Sequence, residues 1–399
     1  MSPKLGHFKN EVSHPASSGS REKVNSDTIE NRLRRQKVRK VQSPNLSSKA
    51  KDDAVVVNSS GLAIFPDELL LEILGHYPEI PFPTVEQQEF NANDHIARRE
   101  TLLALSKTCR NLRRFFRPYI WHRIEVCAGM RVENHILQAG QNLDKVKFNL
   151  ELVRQLEIVT IRDPTLAEYV TVINVEVKDY SVGPLLAELA RSISLFPNLH
   201  TVKLQVTHHL NSDVPTRKAF SKYSYPQIRS LILCRCAYPL LRSCPQARSI
   251  RTTEKYPSLD LMPAMLGTLK FPCLEELEIR IPFDHLEVIV EAFPGLRTVV
   301  LRFCNTLLQS FGYPELLAPI HRLRRLNSIT IWTFSTIQSP LKQEITHWAS
   351  QLLLALQKED KEDKKLVVLD QEFVHDAPIR LVGKHVYLLP ALKSCPIDL

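Results

Sequence analysis

One phrase recurs along the chain and constrains its fold more than any other feature: apolar, Pro, any residue, apolar, two residues, apolar, one residue, apolar. It reads FPNLHTVKL from Phe196, YPQIRSLIL from Tyr225, FPCLEELEI from Phe271 and FPGLRTVVL from Phe293. A poorer copy, CPQARSIRT, starts at Cys244, another, LRRLNSITI, starts at Leu323 without the proline, and VRQLEI from Val153 reads as an early copy. Leu199, Ile228, Ala247, Leu274, Leu296 and Leu326 hold equivalent positions, spaced 29, 19, 27, 22 and 30 residues apart. Proline followed by period-two apolar residues reads as a turn leading into a short strand. Helical patterns precede several copies, at 185–195, 284–293 and 315–323. A helix–turn–strand unit of this size buries its apolar face only by stacking on the next unit.

Glycine is too sparse for several enzyme signatures. Among 11 glycines the closest two, Gly129 and Gly140, are eleven positions apart. The dinucleotide, P-loop and hydrolase-elbow motifs need two glycines within five positions, so all three are absent. No two histidines stand four apart and no CxxC pair exists. No run reaches the roughly 18 apolar residues that a membrane helix requires. The start of the chain lacks the apolar core of a signal peptide, and the 8 cysteines are scattered as free thiols would be. The expectation is a cytoplasmic or nuclear protein.

Charge is uneven. Residues 1–60 hold twelve Lys/Arg and six Asp/Glu, a net of +6 out of +9 for the whole chain. That segment is rich in Ser, Asn and Lys, with too little apolar content to order itself, and reads as a disordered basic tail. Within it NRLRRQKVRK, at 31–40, packs six basic residues into ten. It reads either as a nuclear-import or nucleic-acid patch or as a solvated basic tail. No aromatic residue is interleaved, so base stacking is not indicated and nucleic acid is not an expected partner.

Residues 62–125 look like a small helical module. In LAIFPDELLLEILGHY, Pro66 suits a first helical turn and Asp67 and Glu68 complement the dipole there. Leu69, Leu70, Ile73 and Leu74 follow at helical spacing, and Pro78, Pro81 and Pro83 end the helix. The polar stretch TVEQQEFNANDHIARRE reads as a loop or insert. In ETLLALSKTCRNLRRFFRPYIWHRI, Leu102, Leu105, Cys109 and Leu112 line one face of a second helix, which Pro118 breaks, with Trp121 and Ile124 as anchors. So small a unit makes a marginal core by itself, and an exposed apolar face on it is best explained by a partner.

FPDELLLEIL followed by LLALSKTCRNLRRFFRPYIW resembles the F-box: a Leu-Pro-x-Glu-Leu-Leu opening, a Leu-x-x-Cys-Arg segment and a closing Pro-x-x-x-Trp. The resemblance implies docking onto a Skp-type adaptor, and through it a cullin–RING ubiquitin ligase. By position it assigns adaptor contacts to Phe65, Pro66, Leu69, Leu70, Ile73, Leu102, Leu105, Cys109, Leu112 and Trp121. Phe65 stands where the family has leucine, and the stretch between Tyr77 and Glu100 is longer than in the compact pattern. An ordinary helical bundle is the plain alternative.

The repeat resembles the irregular leucine-rich repeats of many F-box proteins, with IRSLILCRC and LRTVVLRFC reaching the unit's cysteine position at Cys236 and Cys304. An α/β sheet domain joined by crossovers is the alternative. The resemblance makes 126–399 a leucine-rich-repeat-like solenoid with a helical cap. In that cap Ile345, Trp348, Leu352 and Leu356 share a face, before a mixed-charge loop, KEDKEDKK, and a final strand, LVVLD. The expected fold class is α/β, an F-box-like bundle followed by an irregular solenoid.

No catalytic signature, cofactor motif or metal site emerges. Cys234, Cys236 and Cys244 with His208 and His209 give a C-x-C-x7-C spacing that fits no common zinc pattern, and buried apolar cysteine is the reading. Lys203, Gln205, Arg229, Arg248, Arg251, Glu278, Arg280, Arg297 and Arg302 fall on exposed strand positions, as a partner-reading surface or simply as the solvated half of each strand. The expected function is a non-enzymatic substrate adaptor of a ubiquitin ligase whose target the sequence does not name. The alternative is a leucine-rich-repeat scaffold or nuclear interaction protein without ligase association.

Overall fold

The structure is a computed structural model that describes residues 65–77, 92–132, 135–137, 142–178, 181–207, 213–253, 265, 271–281, 286–303, 317–334, 339–357, 364–372 and 380–389. The tail 1–60, including 31–40, lies outside these residues, as do His208, His209, Cys304, Cys395, Pro78, Pro81, Pro83 and most of the mixed-charge loop.

Among the described residues, three helices come first: α1 (Asp67–Gly75), α2 (Ala92–Thr108) and α3 (Arg110–Trp121). Two sequence expectations need correction here. Leu102 to Leu112 is not one helix, because Cys109 breaks it with an extended backbone (φ −153°, ψ 171°) and its sulfur accepts the Leu112 N–H at 3.5 Å, capping α3. Pro118 does not break α3. It sits in the final turn, and its carbonyl still accepts from His122 N at 2.9 Å. The second half of the polar insert is helical too, since α2 begins at Ala92.

The rest is α/β. Ten strands form one sheet in the order β1 (Arg123–Val126), β4 (Val172–Val177), β5 (Thr201–Val206), β6 (Ser230–Leu233), β7 (Ser249–Thr252), β8 (Glu276–Ile281), β9 (Thr298–Phe303), β10 (Ser328–Phe334), β11 (Lys364–Glu372) and β12 (Arg380–Leu389). A separate two-stranded ribbon joins β2 (Arg131–Val132) to β3 (His135–Ile136). Every neighbouring pair in the large sheet is parallel except β11 with the antiparallel β12. Ile124, read as an anchor of the helical module, is buried in β1. VRQLEI is not a strand copy: it lies in α4 (Asn142–Glu157), where Leu152, Val153, Leu156 and the following Val159 are all 0% exposed at helical spacing. β12, which follows the strand read as final, has no counterpart in the sequence reading.

Parallel neighbours require crossovers. They are α4, α5 (Val182–Ile193), α6 (Val214–Phe220), a 3₁₀ segment (Arg235–Ser243), α7 (Leu286–Ala292), a second 3₁₀ segment (Ala318–Arg322) and α8 (Ser339–Gln357). α4 packs on β1, β4 and α5, α5 on α6, α6 on the first 3₁₀ segment, α7 on the second, and α8 on β10 and β11. Ile345, Leu352 and Leu356 of α8 are buried, and Trp348 half-buried.

All six copies of the phrase make the same local structure. The residue five before the strand accepts a hydrogen bond from the N–H three positions on: Leu199 to Phe196, Ile228 to Tyr225, Ala247 to Cys244, Leu274 to Phe271, Leu296 to Phe293 and Leu326 to Leu323, all within 3.1–3.4 Å. Proline suits the second position of such a turn because its fixed φ is the one required there. Both apolar ends of each turn are buried. The strand then feeds Val202 and Leu204, Leu231 and Leu233, Val299 and Leu301, or Ile329 and Ile331 into the same core.

Candidate functional site

The helical module encloses a small core of Leu70, Leu74, Leu102, Leu112, Phe116 and Ile120, with Ile73, Leu103, Leu105, Cys109, Phe115, Tyr119 and Trp121 packed around it. Phe115 meets Phe116 edge-on at 4.9 Å. This divides the ten residues matched to the F-box pattern. Leu70, Leu102 and Leu112 are interior, at 4%, 3% and 2% exposure, so they hold the module together. Ile73, Leu105, Cys109 and Trp121 are half-buried around them. Phe65, Pro66 and Leu69 face outward, and Leu71, which the sequence reading passed over, joins them. Phe65, Leu69 and Leu71 are 41%, 48% and 46% exposed. Leaving a leucine half in water forgoes roughly 1 kcal/mol.

The module is tied to the sheet domain by charge. Arg117 of α3 pairs with Asp163 and donates to Thr165 Oγ1 at 2.9 Å. Arg131 reaches Glu100 of α2 at 3.2 Å. Arg99 lies 4.0 Å from Glu151 of α4, a carboxylate that also receives Arg154 at 2.6 Å and Gln155 at 2.8 Å. Burial lowers the Arg99 pKa from its ordinary value, against the pull of Glu151.

The first strand is an edge strand, and its edge is closed by a side chain. Gln155 donates to the Glu125 carbonyl at 2.9 Å while its own carbonyl accepts the Glu125 N–H at 3.2 Å. One amide side chain thereby does what a neighbouring strand would do. Asn149 repeats the device at Lys178, with 2.9 and 3.1 Å bonds.

Strand register sorts the polar positions singled out in the sequence. Lys203 and Gln205 of β5, Arg251 of β7 and Glu278 of β8 share the sheet face opposite the crossover helices, in line with Asn174 and Glu125. Arg280 and Arg302 occupy the same parity by register. None of these is fully solvent-exposed where side chains are described. Glu278 is 3% exposed, and on the same face Val300, Trp332 and Val367 form a buried apolar cluster. Near β1 the face is polar. Arg123 and Glu125 form a buried ion pair at 2.8 Å, and Lys178 meets Glu176 at 2.5 Å beneath the Phe148 ring. Burial lowers the Lys203 pKa, and burial with Glu125 and Glu176 nearby pushes the Cys127 thiol up.

Arg229, Arg248 and Arg297 need correction: they are not strand positions on that face. Each directly precedes or enters its strand at the edge of the sheet, where all three are exposed. The alternating pattern was read one step too far back, into the turn.

The cysteines act as backbone partners and core residues. Cys234 sulfur accepts the Val206 N–H at 3.1 Å, Cys236 and Cys244 are buried, and desolvation pushes the Cys244 thiol up. No group of three His, Cys, Asp or Glu side chains suited to a metal ion occurs among the described residues. No described helix is long and apolar enough to cross a membrane. No protein-family model matches the chain, and no curated protein sequence is significantly similar to it.

Proposed function

We propose that the chain is a non-enzymatic substrate adaptor of a ubiquitin ligase. The helical module docks a Skp-type adaptor as an F-box does, and the sheet domain, wound as an irregular leucine-rich-repeat-like solenoid, holds a target protein. The observation that carries this reading is the outward set Phe65, Leu69 and Leu71 on a module whose own core is already closed. Apolar side chains held outside a complete core fit a partner that covers them. The sequential parallel strand order and the six like turns support the solenoid part. Such a protein accelerates ubiquitin transfer by raising the effective concentration of target near the charged enzyme, with no chemistry of its own.

The test is co-purification of the full chain with a Skp-type adaptor, comparing wild type with a Leu69→Asp, Leu71→Asp double variant. Leu70 is left alone because it is interior. Binding by wild type and its loss in the variant supports the reading. No binding by wild type, or equal binding by both, removes it and leaves the scaffold reading.

A further inference from the structure

The edge of the sheet at which the strands begin is built as a regular row. The His200 carbonyl accepts from Arg229 N and Ser230 N at 2.9 Å each. The Arg229 carbonyl accepts from Arg248 N at 2.7 Å and Ser249 N at 2.9 Å, and the Arg248 carbonyl from Glu275 N and Glu276 N at 2.8 Å each. Glu275 does the same for Arg297 and Thr298, and Arg297 for Asn327 and Ser328, at 2.7 and 2.9 Å in each case. These paired bonds hold the backbones of His200, Arg229, Arg248, Glu275 and Arg297 in line, one strand spacing of about 4.8 Å apart.

The side chains of that row are mostly cationic and open. Arg229 and Arg297 are exposed and no described acidic side chain pairs with either. Arg248 contacts Glu275 at 3.4 Å, with both side chains nearly half exposed. An ion pair that open is worth little, so it yields readily to a competing carboxylate.

We infer that this edge is a docking row for an extended acidic polypeptide segment, the part of a target that the sheet domain grips. This rests on the reading of the sheet as the target-binding part. From Arg229 to Arg297 is three strand spacings, about 14 Å, which an extended peptide crosses in about four or five residues. Two features favour a polypeptide over a nucleic acid. Glu275 stands inside the row, where a uniformly charged phosphate backbone would meet a carboxylate but a peptide can place a neutral residue. No Phe, Tyr or Trp occupies the row, so bases have nothing to stack on.

The experiment measures binding of fluorescein-labelled poly-glutamate by anisotropy at low salt, using the full chain in a background where every basic residue from Arg32 to Lys40 is replaced by glutamine. Arg229→Glu with Arg297→Glu weakens binding roughly tenfold or more, while Arg229→Lys with Arg297→Lys stays within about threefold. Arg110→Glu with Arg114→Glu, on the exposed part of α3, leaves it unchanged. Equal binding by wild type and the edge charge-reversal variant overturns the inference. So does a single-stranded oligonucleotide that binds more tightly than poly-glutamate and is lost with the same edge variant. Adaptor co-purification by the edge variants separates the two proposals. It persists if only the edge row is wrong, whereas failure of the ligase reading appears in wild type with poly-glutamate binding intact.

Discussion

The helical module and the sheet domain solve the problem of burial differently. The module closes six residues into a core and leaves three large apolar side chains outside it. The sheet repeats one turn–strand unit, so each copy's apolar residues are covered by the copies on either side. A unit with neighbours on both sides has two partners to cover its apolar strand residues, whereas a lone three-helix unit has only its own helices. The module's exposed apolar side chains, Phe65, Leu69 and Leu71, stand close together in the sequence, whereas those of the rest, Ile136, Leu195, Val214, Val288 and Leu354, are dispersed along it.

The largest expected effects compare the two cores. Phe196→Ala in the sheet and Phe116→Ala in the module each remove a fully buried ring, costing about 3–5 kcal/mol. Hydrogen exchange distinguishes them. Phe116→Ala deprotects amides of α1 to α3 while β5 and β6 stay protected; Phe196→Ala deprotects the sheet around it. Uniform deprotection from Phe116→Ala would break the contrast between a separable module and a stacked sheet.

Next comes the polar network near β1. Glu125→Ala removes the carboxylate from a buried Arg123 and is expected to destabilise by about 3–5 kcal/mol in urea unfolding. Gln155→Leu is milder, at about 1–3 kcal/mol: it takes the partner from the N–H and carbonyl of Glu125 on the β1 edge, while Glu151, which it also contacts, keeps Arg154. If Gln155→Leu is neutral, the edge of β1 is closed by something other than that amide.

A smaller effect depends on pH. Burial lowers the His122 pKa below its ordinary 6.5. The unfolded chain then binds this proton more readily than the folded one, so the group leaves stability untouched above pH 6.5 and costs stability as pH falls below it. Tm measured downward from neutral pH is expected to drop less in His122→Gln than in wild type. The smallest effect is on the surface. Leu69→Asp with Leu71→Asp is expected to shift stability by less than about 0.5 kcal/mol per site, since nearly half of each residue is already in water and neither belongs to the module's buried core. A large loss would mean that these leucines belong to the module's own fold.

Much of the sheet was legible because its signal is local. Proline at the second turn position and alternating apolar residues recur in copy after copy, and the hydrogen bond that closes each turn spans only three residues. What failed was where local patterns compete. VRQLEI satisfies both a strand and a helix pattern, and α4 won because Leu152, Val153, Leu156 and Val159 line up only at helical spacing. The helix break at Cys109 carried no proline or glycine to announce it. Among the module residues, spacing grouped Leu69 and Leu70 together, although one faces water and the other the core.

By itself the sequence determined the α/β class, the six like turns, the apolar anchors of each unit and the presence of a small helical module before them. Those depend on the residues within one unit. Tertiary structure alone decided that Leu69 and Leu71 stay outside, that Gln155 stands in for a strand beside β1, and that Arg229, Arg248 and Arg297 line up along one edge. Each of these depends on which distant segment arrives alongside, and a single chain read in order carries no distance between residues that far apart.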